Sequence, residues 1–172
     1  MDMAASKGKL LDFEEQAFAF ADALVVLDVD GTLMPDCGHG ASVAVIDKVN
    51  ELKARGNEVW LCSNSRRRAY AQRLAAIAFQ LQVNACPGAF RKPSTRTLSG
   101  IDRKGRQLVI VGDKDLTDGL LARWSGAQFI KVRRKVDPAD RPVARLTSLI
   151  DDVFGPIALF FWDTFSALMR KL

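Results

Sequence analysis

Residues 25–34 read VVLDVDGTLM. The run Leu24–Val29 is apolar up to Asp28, and Asp30, Gly31 and Thr32 follow it. A short apolar run closed by a glycine-bearing turn predicts a strand covered on both faces. Burying an unpaired carboxylate costs several kcal/mol. A strand that delivers two carboxylates to its end therefore requires cations close by, and those have to come from elsewhere in the chain.

Downstream, strand and helix patterns alternate. Ser42 is placed to cap a helix whose apolar positions, Val45, Val49 and Leu52, recur at helical spacing until Gly56. Glu58–Cys62 reads as a second strand. Ser65 opens a helix with Tyr70, Leu74, Ile77 and Leu81 on one face, and a short strand follows near Val83–Ala85. Gln107–Val111 and Gln128–Val132 read as strands around a helix at Leu116–Trp124. Leu10–Asp22 reads as a lead-in helix. The repeated alternation predicts an α/β fold: a Rossmann-like, three-layer parallel sheet of about five strands with helices on both faces. The charged, proline-bearing stretch Val132–Pro142 is the linker candidate. It divides a core, residues 1–135, from a C-terminal tail, residues 136–172.

The bulk figures limit the functional classes. The chain has 172 residues, 48% hydrophobic and 26% charged, which suits one ordinary domain with a real core. Its net charge of +5 favours anionic partners. The three cysteines, Cys37, Cys62 and Cys86, form no CxxC motif and fit a reducing compartment, so a cytoplasmic location is expected. The one histidine, His39, leaves little support for a Cys/His zinc site or a serine triad. The N-terminus has no uninterrupted apolar stretch of signal-peptide type, and no window reaches membrane-span length.

In open α/β sheets, ligands bind beyond the carboxyl ends of the strands. The predicted strands deliver Asp28, Asp30 and Thr32 to that edge, then Ser63 and Asn64, then Lys92 ahead of a short helix, then Asp113, Asp115 and Asp118. Converging carboxylates are hard oxygen donors of the kind Mg²⁺ prefers. Asp28 and Asp113 are expected to bind such an ion directly, with Asp30 able to offer its backbone carbonyl. An aspartate beside a divalent cation and a lysine can attack phosphorus, and a second acid can protonate the leaving alcohol and then activate water. Phosphoryl transfer asks chiefly for positioning and charge compensation.

These stretches, DVDGT, LCSNS, RKPS and VGDKDLTD, resemble in order and spacing the four motifs of the haloacid dehalogenase-like hydrolases, across about Leu24 to Val132. The resemblance implies Asp28 as nucleophile, Asp30 as acid/base and Lys92 as stabiliser. It implies Ser63 as phosphate ligand, with Thr32 and Asn64 beside it in the substrate-binding set. Asp113 and Asp118 would serve a Mg²⁺ site with Asp28 and Asp30. Asp118 reads equally as a direct ligand or as the partner that orients Lys92, and Asp115 has no family role. The segments between the motifs leave room for single helices only, so no cap domain is expected.

Within the superfamily the chain looks most similar to the capless subfamily IIIA, which includes phosphatidylglycerophosphate phosphatases. Gly31, Ser65 and Lys114 stand where that branch often has asparagine, asparagine and glutamine. The implied function is a Mg²⁺-dependent phosphomonoesterase working through an aspartyl-phosphate. A phospholipid headgroup phosphate comes first as substrate, and nucleotide or sugar phosphates, or a non-catalytic phosphate-binding scaffold, are the alternatives. A receiver-type signalling domain would want its acidic pair before the phosphoacceptor strand, and the order here differs.

Arg66, Arg67 and Arg68 face either an anionic headgroup or solvent, and His39 reads as an ordinary loop residue near the site entrance. Lys131–Lys135 reads as a solvated strand end, with no aromatic interleaving to suggest nucleic acid. In the tail, Gly155-Pro156 marks the start of an amphipathic helix bearing Ile157, Phe160, Phe161, Phe165 and Leu168. That stripe suits packing on the core or on a partner, oligomers included, and it also suits peripheral contact with a membrane surface.

Overall fold

The computed structural model describes residues 10–36, 38–64, 68–86 and 90–169, with the side chains of residues 68–70 left aside. The expected opening of a helix at Ser65, the roles of Arg66–Arg68 and the place of Cys37 lie outside the described residues. Strands β1 (Leu24–Leu27), β2 (Glu58–Leu61), β3 (Asn84–Ala85), β4 (Leu108–Gly112) and β5 (Gln128–Lys131) form one sheet. Every pairing is parallel, and the order is β3-β2-β1-β4-β5. The central strands β1 and β4 are buried along their whole length, while the edge strands β3 and β5 are not. The near-continuous apolar runs are thus where a doubly covered strand demands them.

Alternate residues of β1 serve opposite faces. Val25 and Leu27 join a core with helices α1 (Val43–Ala54) and α2 (Arg68–Leu81), through Val45, Val49, Leu52, Ile77 and Leu81. Leu24 and Val26 join a second core, with Ile110 of β4 and with Leu121 and Ala122 of helix α3 (Leu120–Ser125). This is a three-layer, Rossmann-like α/β fold in which, among the described residues, the β1–β2 and β2–β3 connections each carry one helix and no inserted domain. The Ser42 hydroxyl accepts a hydrogen bond from the N–H of Val45 (3.3 Å) and caps α1. Buried Asn57 joins the end of α1 to the start of β1, accepting from the N–H of Ala23 and donating to the carbonyl of Leu52, each at 2.8 Å.

Three expectations are corrected. Leu10–Asp22 is not a helix: only Phe13–Glu15 makes a single 3-10 turn. Phe13 and Phe18 are buried against the α1 side of the sheet, their ring centroids 5.6 Å apart, and an extended path seats both where a helix would not. Gly155-Pro156 does not begin the last helix, because α4 runs from Pro142 to Met169 with Pro156 inside it. Gly155 sits where α4 crosses the turn after β4, and a Cβ there would lie 2.6 Å from that of Asp115. Lys131–Lys135 is not a solvated end. Lys131 pairs with Asp115 (2.8 Å), Arg133 with Asp12 (2.6 Å), Arg134 with Asp113 (2.5 Å) and Lys135 with Glu14 (2.5 Å).

The two faces of α4 differ in an unusual way. The face on the core buries Ala144, Asp151 and Gly155, and further along sets Leu159 against Gly119 and Trp162 against the ring of Trp124 (6.0 Å). Asp151 accepts hydrogen bonds from the N–H groups of Asp115 (2.8 Å) and Leu116 (2.7 Å), closing the first, wide π-helical turn (Asp115–Gly119) that leads into α3. The opposite face carries eleven large apolar side chains, Val143 through Leu168, at 43–70% exposure. Among the described residues no helix is long and apolar enough to cross a membrane.

Candidate active site

The carboxyl ends of β1, β2 and β4, the segment around Lys92 and the first turns of α4 enclose a cleft of about 640 Å³. Asp28, Asp30, Ser63, Asn64, Lys92 and Asp113 line it, all of them residues expected at a site. The cations demanded by the end of β1 are present. Lys92, 5% exposed, donates from Nζ to Asp28 and, at 2.6 Å, to Asp118. Arg134 reaches Asp113 Oδ2 from beyond β5 at 2.5 Å. Asp28, Asp113 and Asp118 are all buried, and each offers a carboxylate oxygen within 4.8 Å of the others.

Local backbone explains the convergence. Gly31 has φ of +90°, and a Cβ there would lie 2.6 Å from both Asp113 Oδ2 and an Arg134 nitrogen. Only glycine lets the chain turn under that ion pair. Behind it, the N–H groups of Thr32, Leu33 and Met34 all point at the carbonyl of Val29. Gly112 does the same for Asp118, whose side chain occupies the space a Cβ would need.

Crowding away from water shifts the titration of Asp113 and Asp118. Burial, with the charges of Asp28 and Asp118, pushes Asp113 up to about 7, although Arg134 opposes it. Burial pushes Asp118 up to about 6 against the pull of Lys92. Burial also works against the charge of Lys92, but Asp118 and Asp28 outweigh it and hold the ammonium well above the ordinary lysine range. The three carboxylates are thus undercompensated by two cations. Three hard oxygen donors at this spacing, short of positive charge, form a set that can hold a metal ion.

Asp30 stands apart. Its carboxylate accepts from Ser63 Oγ (3.1 Å) and from Arg73 (2.5 Å), so any share it takes in holding an ion falls to its backbone. Burial raises its pKa, with the Arg73 hydrogen bond opposing. Arg73 also donates to the carbonyl of Gly38 (2.6 Å), tying α2 to the loop after β1.

Two expected substrate contacts are placed differently. Thr32 is fully buried beneath the acids, its hydroxyl 3.2 Å from Asp28 Oδ2 and 3.4 Å from Asp113 Oδ1, and it does not line the cleft. Asn64 lines the cleft, but its amide is engaged by the Lys92 backbone, accepting from N–H (2.7 Å) and donating to C=O (3.2 Å). It positions the lysine. His39 is exposed and does not line the cleft. Asp115 pairs with Lys131 and serves the packing of α4.

Sequence reading missed Arg73, Arg134 and Arg141. Arg141 makes a two-pronged pair with Asp36 (2.6 and 2.8 Å) at the cleft wall. For Arg134 a signal existed: it follows β5 at the same sheet edge as every other site residue. Arg73 lies mid-helix, where nothing in the local pattern sets it apart.

No family model and no curated protein matches the chain. A chain of a solved structure described as a Pnkp1/Rnl/Hen1 complex is similar at a TM-score of 0.47 and 20% identity. The match covers 74% of this chain and 50% of that one, so the chain spans half of its neighbour's length. At that distance the likeness bears on neither activity nor partners.

Proposed function

We propose that the chain is a Mg²⁺-dependent phosphomonoesterase of the haloacid dehalogenase-like kind, with Asp28 as nucleophile. The observation that carries the reading is the division of labour among the acids. Asp28 shares Lys92 and the oxygen cluster with Asp113 and Asp118, while Asp30 is held outside that cluster by Ser63 and Arg73. Bound Mg²⁺ would supply the missing positive charge beside the phosphoryl oxygens and Asp28. An Asp28 carboxylate oxygen attacks phosphorus as the bond to the leaving oxygen breaks. Asp30, whose burial favours the protonated form, gives its proton to that oxygen. It then takes a proton from the water that attacks the aspartyl-phosphate, releasing inorganic phosphate and restoring Asp28. Lys92 holds the Asp28 carboxylate in place throughout, and Ser63 faces the phosphoryl oxygens from the end of β2.

Among substrates we place a phospholipid headgroup phosphate, such as that of phosphatidylglycerophosphate, ahead of nucleotide and sugar phosphates. The cleft supports this order: Arg91, Lys114, Arg134 and Arg141 line it, and apolar Val143 of α4 forms part of its wall. Phosphate release from an aryl phosphate with and without Mg²⁺ tests the activity. Metal-dependent turnover lost in Asp28→Asn is expected. No turnover in the wild type would favour a phosphate-binding scaffold.

A further inference from the structure

We infer that the outward face of α4 is a docking surface for an anionic lipid surface, on which the helix lies flat. Its eleven large apolar side chains, 43–70% exposed, present on the order of 1,000 Å² of contiguous apolar area. The largest apolar patch on a typical monomer is about 300–600 Å². A patch of this size on a helix already packed along its other face requires a cover.

The shape of the patch favours a fluid lipid surface over a second copy of the chain. At about 100° per residue, the exposed apolar arc from Leu149 round to Phe165 spans roughly 160°. A single partner helix covers a narrower seam. The arc holds no charged residue, because the charged side chains of α4 outside the core contact, Arg145, Asp152 and Asp163, all sit on one flank. Phe154, Phe160, Phe161 and Phe165 give it the aromatic weight of interfacial helices.

Charge supplies the second argument. The chain carries +5, and the amino end of α4 opens on the cleft cations Arg91 and Lys114. A helix lying about 42 Å along an anionic surface would set those cations at headgroup level while its apolar arc enters the acyl boundary. The inference does not rest on the phosphatase reading, since binding is measured without turnover.

The test is flotation of the purified full chain with extruded vesicles, either phosphatidylcholine with phosphatidylglycerol at about 3:1 or phosphatidylcholine alone. The wild type is expected to float with the anionic vesicles. The double variant Ile157→Glu, Phe161→Glu should float about tenfold less, with its melting temperature and aryl phosphate turnover unchanged. Wild type that stays in solution, or a variant that floats equally well, overturns the inference. So does a wild-type dimer, seen by light scattering, that the double variant turns into a monomer, because the face would then belong to a second copy.

Discussion

Two groups of buried carboxylates sit side by side at the carboxyl edge of the sheet, and they are compensated differently. Asp115 and Asp151 are met within the chain: Lys131 pairs with Asp115, and two backbone N–H groups donate to Asp151. Asp28, Asp113 and Asp118 share Lys92 and Arg134 among three acids, and Asp113 is pushed up to about 7. Burial alone therefore does not mark a functional acid. The first group fastens α4 to the turn after β4, and the second is left short of positive charge in a cleft.

Substitutions can pull the two groups apart. The largest effect is expected from Asp28→Asn, which should cut phosphate release on the order of a thousandfold or more, about 4 kcal/mol of barrier. Lys92 keeps Asp118 as its partner there, so circular dichroism and melting temperature should stay close to wild type. Asp151→Ala should do the reverse. It leaves the buried N–H of Asp115 and the half-buried N–H of Leu116 unmet, at a cost of about 2–3 kcal/mol. Scanning calorimetry should show Tm lower by roughly 5–10 °C for a chain of this size, with turnover per folded molecule kept. Unchanged stability in Asp151→Ala would mean that α4 is fastened by other contacts.

The next effect is ionic. Asp113 and Asp118 are raised from 3.8 to about 7 and about 6, so the metal-free folded state holds protons that the unfolded chain has released. Between those limits metal-free stability falls as pH rises. A divalent ion needs the deprotonated ligands. Mg²⁺ at about ten times its dissociation constant should therefore stabilise by about 1.4 kcal/mol near pH 8, and by clearly less near pH 5.5. Calorimetric Tm with and without Mg²⁺ at the two pH values checks this, and an equal gain at both would contradict it. The smallest effect is expected where α4 meets α3: Arg123→Met removes an ion pair with Asp163 whose side chains are 33% and 53% exposed, at about 1 kcal/mol or less of stability by denaturant melt.

Much of this was legible from sequence, for a physical reason. A parallel sheet sends the residue after each strand to one edge, so Asp28, Ser63 and Asp113 could be gathered without coordinates. Lys92 needed only its place before the short turn at Thr95–Leu98. What failed depended on tertiary contact. Leu10–Asp22 has helical composition, but Phe13 and Phe18 gain more by burial in an extended path. Gly155-Pro156 has the form of a boundary, yet the glycine answers the approach of Asp115 in the middle of α4. The apolar stripe of α4 was visible, but that it turns outward, away from the core, was not. Its direction is set by Asp151 and by the close fit at Gly155, which face the other way.

The most direct test of the central claim traps the phosphoryl group on the chain. Asp30→Asn removes the group proposed to activate water, while the oxygen cluster of Asp28, Asp113 and Asp118 is intact. Incubation of that variant with Mg²⁺ and an aryl phosphate, whose leaving group needs little protonation, followed by acid quench and peptide mass spectrometry, should find phosphate on Asp28. Release of the aryl alcohol by this variant with Asp28 unmodified, or with the phosphate on another residue, would contradict the account.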